Sequence, residues 1–181
     1  MESNLHDTPL VGHLPGVAET ERSAVVYHGT NLARAGSILF TLHLCSTVSL
    51  VYADTTVGFV YVTTAFRDAV EYAQNAVTVE ANTSTRLPFG SLCVVFRLKV
   101  SPADLLPDSD EARVDKAVRE ETGLLSNRAT NSRRIAHDLF VGDQEIALLN
   151  PMHPRFGLAT SDDVVWHPIP SWFSSKNPLS Y

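Results

Sequence analysis

The chain is poor in sulfur, with two cysteines in 181 residues, Cys45 and Cys93. Both lie in apolar runs, "LHLCSTV" and "SLCVVF", where a small buried thiol is the usual occupant. This speaks against a disulfide framework, and the pair has no CxxC metal spacing. Long hydrophobic runs are also missing: none approaches the roughly 18 consecutive apolar residues that a membrane helix requires. The first residues, "MESNLHDTPLVGHLPG", lack a basic stretch followed by an apolar one, so no ordinary secretory signal is expected. A soluble protein is expected, cytoplasmic or delivered into a target cell. Lysine is scarce, three against eleven arginines, which fits either a GC-rich genome or avoidance of ubiquitination in a host cell. The net charge of −6 argues against a nucleic-acid partner, whose phosphates would be neutralised by Lys and Arg. Arg128, Arg133 and Arg134 are a local exception.

What is present fits one domain with a proper core: 44% of side chains are hydrophobic and 19% charged, with no internal repeat. Residues 1–22 are polar and broken by Pro9, Gly12, Pro15 and Gly16, so they read as a loosely held arm before a single domain at 23–181. "AVVYH" reads as a strand. "NLARAGSILF" puts Leu32, Ala35, Ile38 and Leu39 on one side of a helix capped by Asn31 or Thr30. "TVSLVYAD" and "GFVYVTT" are β-branched and aromatic and read as strands. In "AFRDAVEYAQNAV" the apolar residues recur at helical spacing, with Thr64 able to cap. "VEANTSTRLPFG" reads as loop and "SLCVVFRLKV" as the central strand, stopped by Pro102.

"DSDEARVDKAVREETG" reads as an exposed helix, with Asp108 or Ser109 as cap, Val114, Ala117 and Val118 facing inward and Gly123 as its stop. "LLSNRATNSRRIAHD" is polar and irregular, hence functional or disordered. "LFVG" and "EIALLN" read as the last clear strands. "DVVWH" reads as an edge strand within a Pro-rich tail that holds Trp166, Trp172 and Phe173. The sum predicts an α+β fold, a strongly twisted sheet with helices outside it.

Polar residues at strand ends carry the chemical signal: His28-Gly29-Thr30, Tyr61 in "FVYVTT", Tyr72 in the next helix, the loop before Asp143, and Glu145 in "GDQEIALLN". Each has an ordinary structural reading. A strand-end histidine is most often a satisfied structural group, and a strand tyrosine usually belongs to the core with its hydroxyl at the surface. Glu145 fits the ordinary reading least, because a carboxylate opening the apolar run "IALL" needs a partner or a purpose.

Taken in order, these pieces resemble the ADP-ribosyltransferase superfamily of the diphtheria-toxin and PARP type, whose fingerprint is His, Tyr and Glu on three separated strands. "YHGT", "GFVYVTTAFRDAVEYA" and "DQEIALLN" match its three motifs over roughly Val25 to Asn150. The resemblance implies a twisted split β-sheet with flanking helices and a mono-ADP-ribosyltransferase that uses NAD+ as co-substrate, without a metal. The acceptor would be a protein or a small molecule, in the setting of a toxin, an effector or antibiotic modification.

By the same resemblance, His28 would bond a ribose hydroxyl and the Gly29 backbone would hold the nicotinamide carboxamide, with Thr30 beside it. Tyr61 and Tyr72 would sandwich the nicotinamide ring, and Thr63 or Thr64 would add a hydroxyl. Glu145 would be the catalytic carboxylate, stabilising positive charge on the ribose as nicotinamide leaves. Asp143 and Gln144 would position the acceptor, with Asp143 an alternative third member, and residues from about Leu124 to Gln144 would form the acceptor-recognition turn. Other readings are an RNA 2′-phosphotransferase-like enzyme of the same fold and a PARP-like binding module without turnover. A cysteine-nucleophile enzyme fits less well, since both thiols lie in apolar runs.

Overall fold

The computed structural model describes residues 23–46, 55–83, 92–124 and 128–169. The expected arm at 1–22, the expected strand at 47–54 and the tail from 170 on, with Trp172 and Phe173, lie outside the described residues. Chain order is β1 (Ala24–Asn31), α1 (Leu32–Thr41), β2 (His43–Leu44), β3 (Val60–Thr63), α2 (Phe66–Thr83), β4 (Cys93–Val100) and β5 (Leu106–Pro107). It continues with α3 (Ser109–Thr122), α4 (Arg128–Asn131), β6 (Ser132–Ile135), β7 (Leu139–Phe140), β8 (Glu145–Leu149) and β9 (His167–Pro168). Among the described residues seven strands form one sheet in the order β5-β6-β3-β1-β4-β8-β9, while β2 and β7 pair separately. The pairings among described residues are antiparallel, so the fold is α+β as the pattern of elements predicts.

Strand β4 reads as an unbroken apolar run because both of its faces are covered. Val94, Phe96 and Leu98 join a core with Val26, Val60, Val62 and Ile135, against which Leu32, Ile38 and Leu39 of α1 pack. Cys93 and Val95 face the other way, into a second core with Phe66, Ala69, Val70 and Ala73 of α2 and Ala147 and Leu149 of β8. Phe96 is fully buried, a burial that stabilises the fold by about 1.5–3 kcal/mol.

Strand β1 does not end at His28. It runs on through Asn31 because its ladder with β4 is continuous from Ala24↔Val100 to Asn31↔Cys93. Asn31 then caps α1, its Oδ1 accepting from the Arg34 N–H at 2.9 Å, while its Nδ2 donates to the Ala76 carbonyl of α2 at 3.2 Å. On the opposite side of β1 from β4 the pairing is brief. β1 and β3 are in register at Tyr27↔Thr63 alone, after which the two strands part.

Helix α2 crosses β1 where neither backbone has bulk to spare. A Cβ on Gly29 would stand 1.8 Å from the Ala69 carbonyl oxygen and 2.9 Å from the Ala73 nitrogen. Glycine is therefore required by packing, and Ala69 and Ala73, both fully buried, supply the matching small face. The helix also runs to Thr83, through five residues expected to be loop, since once a helix is nucleated each further residue adds a hydrogen bond.

Three other expectations are revised. The stretch at Ser132–Ile135 is a strand ordered by its ladder with β3, so the region from Leu124 to Gln144 is not one continuous recognition turn. On α3, Val114 is partly buried but Ala117 and Val118 are exposed, and the residues turned inward are Asp108, Asp110 and Glu111. Cys93 is buried as expected, whereas Cys45 is exposed because its run ends one residue after the two-residue strand β2; both thiols are free. Among the described residues, no helix is long and apolar enough to cross a membrane.

The crossing at Gly29 yields a stability prediction. Gly29→Ala should cost about 1–3 kcal/mol or more, because the clash is with backbone. Gly123→Ala, at the left-handed end of α3 (φ 72°), should cost about 1 kcal/mol. Urea denaturation compares them, and a Gly29→Ala protein as stable as the parent would disprove the close crossing.

Candidate functional site

Where β1 and β3 part, a cleft of about 640 Å³ opens, within the size range of small-molecule sites. Its lips are His28, Gly29 and Thr30 from β1 and Tyr61, Val62 and Thr63 from β3. Helix α1 contributes Arg34 and Ile38, α2 contributes Tyr72 and Asn75, and the first turn of α3 brings Asp108, Asp110 and Glu111.

The imidazole of His28 spans the gap between the strands. Its Nδ1 lies 2.9 Å from the Tyr61 carbonyl oxygen, and since a carbonyl can only accept, Nδ1 carries the proton. Burial lowers the pKa of His28 below its usual 6.5, with nearby Arg34 adding to that and the Tyr61 bond opposing it. The ring is thus neutral near pH 7, and its Nε2 keeps a lone pair suited to a hydroxyl donor.

Tyr61 is fixed by its hydroxyl. That group lies 2.6 Å from Asp110 Oδ2 and accepts from the Thr56 N–H at 2.9 Å. Burial and the Asp110 carboxylate push the phenol up to about 12. Asp110 responds in the opposite sense. Burial raises its pKa, but hydrogen bonds from Tyr61, from Thr56 N–H and Oγ1, and from Arg113 outweigh it and hold the carboxyl down to about 2. Tyr72 is raised further still, by burial and by neighbouring Glu111. The guanidinium carbon of Arg128 lies 5.7 Å from the Tyr72 ring centroid, and Arg128 is also ion-paired with Glu71.

Six of the residues singled out from the sequence, His28, Gly29, Thr30, Tyr61, Thr63 and Tyr72, line this one cleft. Thr63 is there in a structural capacity, since its hydroxyl oxygen accepts from the Ala65 N–H at 3.1 Å and lies 3.4 Å from Asp68 Oδ2, at the start of α2. Thr64 is turned to the Asn131 carbonyl.

Asp143, Gln144 and Glu145 do not line the cleft. The reason is place in the sheet: Glu145 opens β8, which pairs with the side of β4 away from β1, two strands from the gap between β1 and β3. Glu145 is instead ion-paired with Arg97, whose Nε lies 2.7 Å from Oε2 and whose guanidinium stacks 4.4 Å from the Trp166 ring centroid. This pairing resolves the unease of a carboxylate opening an apolar strand. Gln144 accepts from the Lys99 N–H at 2.8 Å and donates to an exposed Asp143.

The cleft residues that sequence reasoning missed are Asp110, Glu111 and Arg34. The signal of the two acids was present in "DSDE", but a cluster of acids at a helix start is explained by capping alone. Among the described residues no group of His, Cys, Asp and Glu is arranged to hold a metal. In comparisons with known proteins the chain matches no family model, no curated protein and no solved structure.

The Asp110 network predicts an acid limb in stability. A carboxyl held near 2 when folded, against an ordinary 3.8, stabilises the fold above about pH 4 and loses that contribution as pH falls toward 2. Asp110→Asn should cost on the order of 2 kcal/mol at pH 7 and flatten the profile between about pH 4 and 2. Melting curves across that range test this, and equally steep profiles in both proteins would remove Asp110 as the cause.

Proposed function

We propose that the protein is an NAD+-dependent mono-ADP-ribosyltransferase of an ADP-ribosyltransferase-like fold. It would break the bond between nicotinamide and ribose and pass ADP-ribose to a protein or small-molecule acceptor. The observation that carries this reading is the cleft itself, in which the His-Gly-Thr lip, the strand tyrosine and the helix tyrosine meet where β1 and β3 separate.

The residues suit the parts of such a substrate. The Nε2 lone pair of His28 accepts a ribose hydroxyl, and its tautomer is preset by the Tyr61 carbonyl. Tyr61, tethered through its hydroxyl, and Tyr72 offer aromatic faces to a planar ring. Arg34 stands on the β1 side of the cleft, close enough to His28 to depress its basicity, and its guanidinium suits the diphosphate.

A second reading is favoured by one observation. Glu145, the expected catalytic carboxylate, is held by Arg97 on β4 and does not line the cleft, as in a binding module that retains the cleft without turnover. Incubating the purified protein with NAD+ and candidate acceptors, with intact-mass readout of ADP-ribose addition, distinguishes the two. His28→Ala should weaken NAD+ binding about tenfold, the loss of about 1.4 kcal/mol. A wild-type protein that shows no NAD+ binding by calorimetry would end the transferase reading.

A further inference from the structure

On the reading that the cleft takes NAD+, we infer that Glu111, in the first turn of α3, is the catalytic carboxylate of this enzyme in place of Glu145. Three carboxylates line the cleft among the described residues, and they differ in what they still have to give. Asp108 is consumed by architecture. Its Oδ1 accepts from the N–H groups of Asp110 and Glu111 at 3.0 and 3.2 Å, and its Oδ2 from the Ser132 hydroxyl at 2.7 Å.

Asp110 is consumed as well. Its Oδ2 receives the Tyr61 hydroxyl and the Thr56 N–H, and its Oδ1 receives Thr56 Oγ1 and Arg113, which fills about four acceptor positions. Glu111 is next in the chain, half-buried, and its side chain meets Tyr72. Tyr72 is the ring that the substrate reading sets against nicotinamide. Of the three, Glu111 is the one with acceptor capacity left and a position beside the reacting end of the cleft.

Its surroundings suit the task. Burial raises the pKa of Glu111 from its usual value, with the Tyr72 bond and Arg128 opposing that and Asp115 and Asp108 adding to it. A carboxylate so placed is a better base than a solvated one, and its charge lies where positive charge grows on the ribose. In the step itself the C1′–N bond to nicotinamide breaks with its electron pair going to the ring nitrogen. The acceptor oxygen or nitrogen bonds to C1′, and Glu111 takes the acceptor's proton and returns it to solvent. With water as acceptor the products are nicotinamide, ADP-ribose and one proton.

The test uses NAD+ with water as acceptor, measuring nicotinamide release for turnover and calorimetry for binding, on wild type, Glu111→Gln, Glu111→Asp and Glu145→Gln. Glu111→Gln is expected to lower kcat by roughly 10² to 10³ while the Kd for NAD+ stays within about threefold. Glu111→Asp should recover part of the loss. Glu145→Gln should keep turnover within about threefold of wild type. Normal turnover in Glu111→Gln, or a collapse in Glu145→Gln alone, overturns the assignment while leaving the NAD+ reading intact. Tight NAD+ binding without turnover in wild type overturns it in favour of the binding module. Absence of NAD+ binding in wild type overturns the substrate reading and this assignment with it.

Discussion

Helix α2 crosses strand β1 at Gly29 so closely that a single methyl group there would collide with the Ala69 carbonyl. Much else follows from it. Because the helix lies directly on the strand, the turn after Ala69 delivers Tyr72 to the mouth of the cleft, and Ala76 comes within reach of the Asn31 amide. Asn31 in turn caps α1, so one contact orients both helices relative to the strand that carries His28. A close-packed interior has little slack, and a change of one carbon at such a crossing moves everything attached to it.

The cleft exists because a ladder stops. β1 keeps β4 as a neighbour along its whole length but holds β3 at one register position, and the His28 side chain takes the Tyr61 carbonyl just beyond that point. An unfinished sheet would expose backbone groups that need partners. Here a side chain supplies one of them, and in doing so fixes which ring nitrogen of His28 faces the cleft.

Helix α3 closes the other side and breaks the ordinary patterning rule. Its inward positions are acidic, because it faces a cleft and the hydroxyl of Tyr61 more than an apolar core. The partial positive charge of a helix N-terminus makes that arrangement tolerable, and the hydrogen bonds to Asp108 and Asp110 make it stable. Local departures of this kind gather at functional sites, where polar geometry takes precedence over burial.

The amino-acid sequence by itself determined the local elements: the apolar strand at Cys93–Val100, the Asn31 and Asp108 caps, the glycine stop at Gly123, and the amphipathic face of α2. These depend on neighbours within a few residues, so their signals are readable in order along the chain. The resemblance carried by "YHGT" and "GFVYVTTAFRDAVEYA" also pointed to His28, Tyr61 and Tyr72 as a set. Only the tertiary structure decided which carboxylates line the cleft with them. A strand shifts its side chains to the opposite face with each residue, so the partnership of Glu145 depends on register with β4, a long-range choice that no local pattern records. The same holds for Gly29, whose need for a bare α-carbon arises from a helix forty residues further on, and for Glu111, whose acidic neighbours look like a cap until the fold brings Tyr72 beside it.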